Sequence, residues 1–293
     1  ALPLGITREN VLYYALRNGE PGVFVHAPGE KPVRLGNASS DPAWSLDGTR
    51  LAFLTRAANE NFGIESKFIA IADSSSGKTA ILDPKLAHLD SVSWQRDGRT
   101  LLAGGSDRHG QRGLFLIDAE TGLAKPVVRE HAGTYVGLEG GDTGKGIVYT
   151  NGESIRLRDA AGTEQELYRA SGATVTHLSV SHDGARIAYA LRTNGVENIF
   201  TMGLDSTMPR QAANLRGGGA TGLDWEADNQ TLLAAIPTSP PSVWRIFPTG
   251  EKPLRLGWDF RPTGAVRVQP KQGRLAYLSG YTKTEIHAIN CPE

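Results

Sequence analysis

One ten-residue pattern recurs along this chain, and its spacing constrains the fold more than any other feature. The segment Trp44-Ser45-Leu46-Asp47-Gly48-Thr49-Arg50-Leu51-Ala52-Phe53 returns as Trp94-Gln95-Arg96-Asp97-Gly98-Arg99-Thr100-Leu101-Leu102-Ala103. It returns again as Val180-Ser181-His182-Asp183-Gly184-Ala185-Arg186-Ile187-Ala188-Tyr189, and more weakly as Trp225-Glu226-Ala227-Asp228-Asn229-Gln230-Thr231-Leu232-Leu233-Ala234. Degenerate copies run from Gly144 to Tyr149 and from Gln272 to Tyr277, and the stretch Ile6 to Tyr14 fits a further, diverged copy. With the glycine slot as anchor (Gly48, Gly98, Gly144, Gly184, Asn229, Gln272), successive copies lie 50, 46, 40, 45 and 43 residues apart.

Each copy has a local physical logic. Asp-Gly makes a tight turn, because glycine tolerates positive φ and the aspartate bonds its own backbone. The residues after it are short and apolar, as in Leu51-Ala52-Phe53, and read as a strand. A polar loop follows, and then another strand: Gly22 to Val25, Phe68 to Ile71, Leu114 to Ile117, Ile155 to Leu157, Asn198 to Phe200, Val243 to Ile246 and Ile286 to Ile289. An outer strand comes next, as in Pro32 to Leu35 and Pro253 to Leu256. Seven such units of about 42 residues predict an all-β, seven-bladed β-propeller of four-stranded antiparallel blades, with six blades as the alternative. The repeats fill residues 1–293, so a single propeller domain is expected, closed by an N-terminal strand that completes the last blade. No long 3.6-residue apolar period argues for helices.

Composition narrows the partners. The 31 basic and 31 acidic residues cancel, so no field of one sign steers the chain onto nucleic acid or an anionic membrane. No apolar run approaches the roughly 18 residues of a membrane span. The single cysteine, Cys291, excludes an internal disulfide and a CxxC site.

The repeat W-S-x-D-G-x-x-[LI]-A-[FY] resembles the TolB-type, WD40-like (PD40) propeller repeat. Where that family usually places proline before the aspartate, this chain has Leu46, Arg96, His182 and Ala227. The resemblance implies a bacterial, periplasmic module that binds partner proteins, or the sensor region of a larger bacterial regulator. The same repeat occurs in the propellers of prolyl-oligopeptidase-like peptidases and in oligogalacturonate lyase, which makes a metal-dependent polysaccharide lyase, a hydrolase or a peptidase's regulatory propeller the alternatives.

No catalytic motif stands out. There is no G-x-S-x-G nucleophile elbow. Gly140 to Gly146 lacks the spacing of a phosphate loop and reads as a glycine-rich hairpin. The turn aspartates Asp47, Asp97 and Asp183 recur in one slot and read as structural. His88, His131 and His177 each fall near the start of an inner strand, and the resemblance to oligogalacturonate lyase makes them the alternative ligands of one divalent metal ion. Otherwise no cofactor is expected. Ligand contacts are expected on the loops between second and third strands: Arg56, Asn61, Asp107, Arg108, His109, Arg192, Tyr281 and Lys283. Of these, Arg56, Arg108 and Arg192 suit a peptide carboxylate, which arginine pairs with two parallel bonds. The expectation is therefore a binding or sensing module for a protein, peptide or small ligand, with no chemistry of its own.

Overall fold

The Asp-Gly segments close hairpins between the first two strands of successive sheets. Ser45 N–H donates to Arg50 O at 2.9 Å, Gln95 N–H to Thr100 O at 2.8 Å, Ser181 N–H to Arg186 O at 2.9 Å and Glu226 N–H to Thr231 O at 2.8 Å. The turn demands positive φ, which Gly48, Gly98 and Gly184 adopt at 74°, 63° and 76°, and which Asn229 supplies at 55°. The aspartate before it accepts the backbone N–H groups of the turn, as Asp97 does from Arg99 and Thr100 at 2.8 Å each.

The computed structural model describes residues 11–17, 20–26, 33–37, 42–55, 68–129, 139–205, 208–215, 219–236, 242–256, 262–268 and 275–279. In chain order the strands begin with β1 (Val11–Arg17), β2 (Glu20–His26) and β3 (Val33–Asn37). Blade 1 is β4 (Ala43–Trp44), β5 (Arg50–Thr55), β6 (Phe68–Asp73) and β7 (Thr79–Leu82). Blade 2 is β8 (His88–Trp94), β9 (Thr100–Ser106), β10 (Arg112–Asp118) and β11 (Ala124–Arg129). Blade 3 is β12 (Glu139–Asp142), β13 (Gly146–Thr150), β14 (Ser154–Asp159) and β15 (Glu164–Arg169). Blade 4 is β16 (Thr174–Val180), β17 (Arg186–Thr193), β18 (Val196–Gly203) and β19 (Arg210–Leu215). Blade 5 is β20 (Gly222–Trp225), β21 (Leu232–Ile236), β22 (Ser242–Ile246) and β23 (Leu254–Leu256), and β24 (Pro262–Val268) and β25 (Leu275–Ser279) follow.

The blade count corrects the sequence expectation. The described strands form five four-stranded antiparallel blades, neither seven nor six. The remaining strands join in one five-stranded sheet of order β24-β25-β1-β2-β3. In it β1 lies parallel to β25, with Leu12 opposite Ala276 and Tyr13 opposite Tyr277. The N-terminal copy therefore does not make a blade of its own. Its strands extend the sheet begun by β24 and β25, because the free edge of β25 needs a hydrogen-bonding partner and β1 supplies one. The expected strand Ile286 to Ile289 lies outside the described residues.

The first strands of the blades, β4, β8, β12, β16 and β20, line a central channel together with β24, and β24 reaches back to β4. The core lies between sheets, where Leu51, Phe53, Ile69, Leu101, Ile117, Tyr189 and Trp225 are buried. Trp225 is wholly enclosed and its Nε1–H donates to Ser179 O of blade 4 at 3.3 Å. Among the described residues no helix is long and apolar enough to cross a membrane.

Candidate functional site

The channel opens a cavity of about 690 Å³, within the size range of small-molecule sites. It has two ends. The loop end carries the starts of the inner strands and the β9–β10 and β17–β18 loops; the turn end carries the Asp-Gly hairpins.

At the loop end two charged clusters stand on blades 2 and 4. His88 Nε2 lies 2.8 Å from Asp90 Oδ1, and Arg112 Nη2 donates to Asp90 Oδ2 at 2.5 Å. Register explains the meeting: His88 and Arg112 both face Ser106 of β9, from opposite sides. On blade 4, Glu197 is 1% exposed. It accepts from Thr176 Oγ1 at 3.0 Å, from Arg192 Nη2 at 3.0 Å and from Ala220 N–H at 2.7 Å. A carboxylate so placed is tolerated only because its oxygens are filled. It clamps the start of blade 5 to blade 4, aided by a 2.8 Å bond between His177 Nε2 and Ala220 O.

Deeper in, the wall is stitched across blades. Asp224 accepts from Ser179 Oγ at 2.9 Å and from Val268 N–H at 2.8 Å. Asp142 accepts from Arg96 N–H at 2.9 Å and from Gly144 N–H at 2.7 Å. Arg96 Nη1 passes over blade 3 to donate to His182 O of blade 4 at 2.6 Å. Arg267 Nη1 donates to Leu223 O at 3.1 Å. His182 Nε2 bonds Trp225 O at 3.1 Å.

The residues singled out from sequence distribute unevenly. Asp107 accepts the N–H groups of His109 and Gln111 at 2.9 Å each, so it builds its own turn. Arg108 Nε donates to Lys85 O at 3.1 Å, and His109 is exposed. Arg192 is half-exposed and anchored on Glu197. Arg56, Asn61, Tyr281, Lys283 and His131 lie outside the described residues. His88 and His177 stand on different blades, each with Nε2 engaged. Among the described residues no group of three or more His, Cys, Asp or Glu side chains could hold a metal ion. Sequence reasoning missed Asp90, Glu197, Asp224, Gln95, Arg96 and Arg267. Only Asp90 carried a local signal, two residues beyond His88.

This architecture can be set against known proteins. TolB from Acinetobacter baumannii superposes with a TM-score of 0.66 at 17% identity, over 93% of this chain and 67% of that one. The putative TolB from Agrobacterium tumefaciens gives 0.66 at 13% identity, over 84% and 94%. The chain folds as a TolB-type β-propeller. The same TolB-type fold extends to an oligogalacturonate lyase solved in complex with manganese, with a TM-score of 0.63 at 11% identity over 89% of this chain and 80% of that one. Peptidase propellers share it too: an acylaminoacyl peptidase gives 0.55 at 14% identity over 93% of this chain and 46% of that one. In sequence, dipeptidyl-peptidase 5 of the fungus Trichophyton equinum is 34% identical over 106 residues, 35% of this chain. The matched stretch spans 14% of that peptidase's length. No family model matches the chain.

Proposed function

We propose that this TolB-type propeller is a binding module without chemistry of its own, which receives a peptide segment or small ligand in its central channel from the loop end. The observation that carries the reading is the cavity itself. Its walls come from strands of every blade, and the carboxylates of Asp142 and Asp224 in them are held by bonds between neighbouring sheets. Such a site is preorganised, so binding costs little ordering of the protein. The reading requires no cofactor and no metal.

The test is to select peptides from a random library on the immobilised protein and to repeat the binding with Thr221→Trp, which fills the channel wall at the start of β20. Loss of binding in a variant with an unchanged circular dichroism spectrum supports the reading. Undiminished binding overturns the channel as the site.

The match to dipeptidyl-peptidase 5 favours a second reading, in which the propeller is the regulatory part of a longer peptidase. Sequencing the full coding region tests it: a hydrolase domain with a G-x-S-x-G segment supports it, and a domain of any other kind overturns it.

A further inference from the structure

The tripeptide Thr-Asn-Gly occurs twice in the chain, as Thr150-Asn151-Gly152 on blade 3 and as Thr193-Asn194-Gly195 on blade 4. Each copy follows the second strand of its blade. An Asn-Gly pair is chemically vulnerable. The glycine main-chain nitrogen attacks the asparagine side-chain carbonyl carbon and closes a five-membered imide, and glycine has no side chain to obstruct the approach. The residues around the reacting atoms are the same in both copies, so a difference between them comes from the fold.

The fold ties down the first copy. Asn151 Oδ1 accepts from the N–H groups of Glu153 and Ser154 at 3.1 Å each, and from Ser154 Oγ at 3.4 Å. The attacking nitrogen is engaged as well: Gly152 N–H donates to Thr150 Oγ1 at 3.0 Å. Gly152 is buried, and its carbonyl accepts from Val175 N–H of blade 4 at 2.8 Å. Bringing Gly152 N onto Asn151 Cγ breaks these bonds together and strands buried polar groups, which is costly.

The second copy is loose. β17 and β18 pair as far as Thr193 and Val196, so Asn194 and Gly195 alone make the turn. Both hold positive φ, at 50° and 79°, as the favoured two-residue hairpin turn requires. Both are exposed. Among the described residues neither the Asn194 side chain nor the Gly195 N–H has a hydrogen-bond partner. Nothing lies within 4 Å of where a Cβ on Gly195 would be. Aligning nitrogen and carbonyl carbon takes a rotation of the turn's backbone, which opens only the tip of the hairpin.

From this contrast we infer that Asn194 is a site of spontaneous deamidation and that the fold protects Asn151. Gly195 N gives up its proton and bonds to Asn194 Cγ. The Cγ–Nδ2 bond breaks, and Nδ2 takes up a proton and leaves as ammonia. Water then opens the imide. Breaking its bond to Cγ gives aspartate, and breaking its bond to the main-chain carbonyl carbon gives isoaspartate. Water is the only co-reactant, and nothing is oxidised or reduced. Either product places a carboxylate two residues from Arg192, the cation that pairs with Glu197 at 3.0 Å. Isoaspartate also lengthens the turn by one backbone carbon. The inference does not rest on the binding reading above.

The test follows both sites in the full chain by peptide mass spectrometry during incubation in mildly alkaline buffer, native and in urea. In native buffer the Asn194 peptide is expected to exchange the mass of NH for that of O at least about tenfold faster than the Asn151 peptide. In urea the two rates are expected to converge, because the local sequence is shared. Hydroxylamine added to the native chain captures the imide and is expected to cleave between Asn194 and Gly195.

Equal native rates, or a faster Asn151, overturn the inference. An Asn194 that reacts in urea and stays intact in native buffer also overturns it, and shows that the hairpin itself protects. A rate difference as large in urea as in native buffer removes the fold as the cause. Conversion of Asn194 without hydroxylamine cleavage overturns the imide route.

Discussion

Blades 3 and 4 stand side by side and close their inner hairpins differently. Blade 4 uses the recurrent turn, in which Ser181 bonds Arg186 five residues on and Ser181 Oγ holds Asp183 at 2.6 Å. Blade 3 closes two residues sooner: Thr143 N–H donates to Gly146 O at 2.9 Å, and Thr143 Oγ1 to the same oxygen at 2.8 Å. Register then puts Asp142, opposite Ile147, in the place that Val180 holds opposite Ile187 and Trp94 holds opposite Leu101. The shortened blade leaves room that its neighbours take. A Cβ on Gly184 would lie 2.2 Å from Thr143 O, and one on Gly141 would lie 2.8 Å from Val180 Cγ2. Arg96 of blade 2 lies over the short turn, with Cδ 3.5 Å from where a Gly144 Cβ would be. A repeat can thus lose its aromatic and part of its turn when the adjoining blades close on it with backbone and a long arginine.

The sharpest test of that difference is at the aromatic slot. Trp225→Ala empties a wholly enclosed site and is expected to cost about 3–5 kcal/mol. Asp142→Ala at the matching register removes a hydrogen-bond acceptor instead and is expected to cost about 1–3 kcal/mol, both read from urea denaturation. Equal losses would mean that blade 3 packs like the others.

Next in size is the turn glycine. Gly98→Ala meets only the tip of Arg50, at 3.7 Å, and bears the left-handed penalty alone, about 1–2 kcal/mol. Gly184→Ala bears the same penalty and also strikes the Thr143 carbonyl, so it is expected to exceed Gly98→Ala by about 1–3 kcal/mol. If the two variants unfold at the same denaturant concentration, blade 4 does not lean on blade 3 as described.

The recurrent turns also predict an acid dependence. Ser45 and then the Thr49 groups hold the Asp47 carboxyl below its usual range. Ser75 and Ser76 do the same for Asp73, and Thr121 for Asp118. For Asp97, Asp183 and Asp228 burial acts in the opposite direction and is outweighed by bonds from Arg99 and Thr100, from Ser181 and Ala185, and from Thr231 and Gln230. A carboxyl whose folded pKa is depressed stabilises the fold above its unfolded pKa of about 4, and that contribution disappears as pH falls through the folded value. The urea midpoint should therefore hold between neutrality and about pH 5 and drop below about pH 4. Asp97→Asn should lower the neutral midpoint and shallow the acid fall; an unchanged acid slope would assign the stability loss to other groups.

The smallest effect is a gain. Gln95→Ser gives blade 2 the self-satisfied turn of blades 1 and 4 and is expected to stabilise by about 0.5–1 kcal/mol. A loss would mean that the amide fills space the serine cannot.

Much of this was legible in the sequence because it is local. The Asp-Gly hairpins and the third strands from Phe68 to Ile246 form where their residues say, since a turn residue and its alternating strand act within about ten positions of one another. Asp107, Arg108 and His109 fall on the loop assigned to them for the same reason. What could not be read depends on partners far along the chain. Arg96 meets a carbonyl 86 residues away, and Glu197 accepts the N–H of Ala220, 23 residues on.

By itself the sequence determined the repeating unit: the turn chemistry, the short apolar strands and hence an all-β propeller. The tertiary structure decided how many blades those units make, because the whole N-terminal copy, β1 to β3, joins β24 and β25 in one sheet, where the repeat pattern led to the expectation of one closing strand. It also decided which donors in the channel go without acceptors. Trp94 and Trp225 occupy one slot of one repeat, yet only Trp225 reaches a carbonyl. Local sequence sets the side chain, and the neighbouring blade sets whether its hydrogen bond is made.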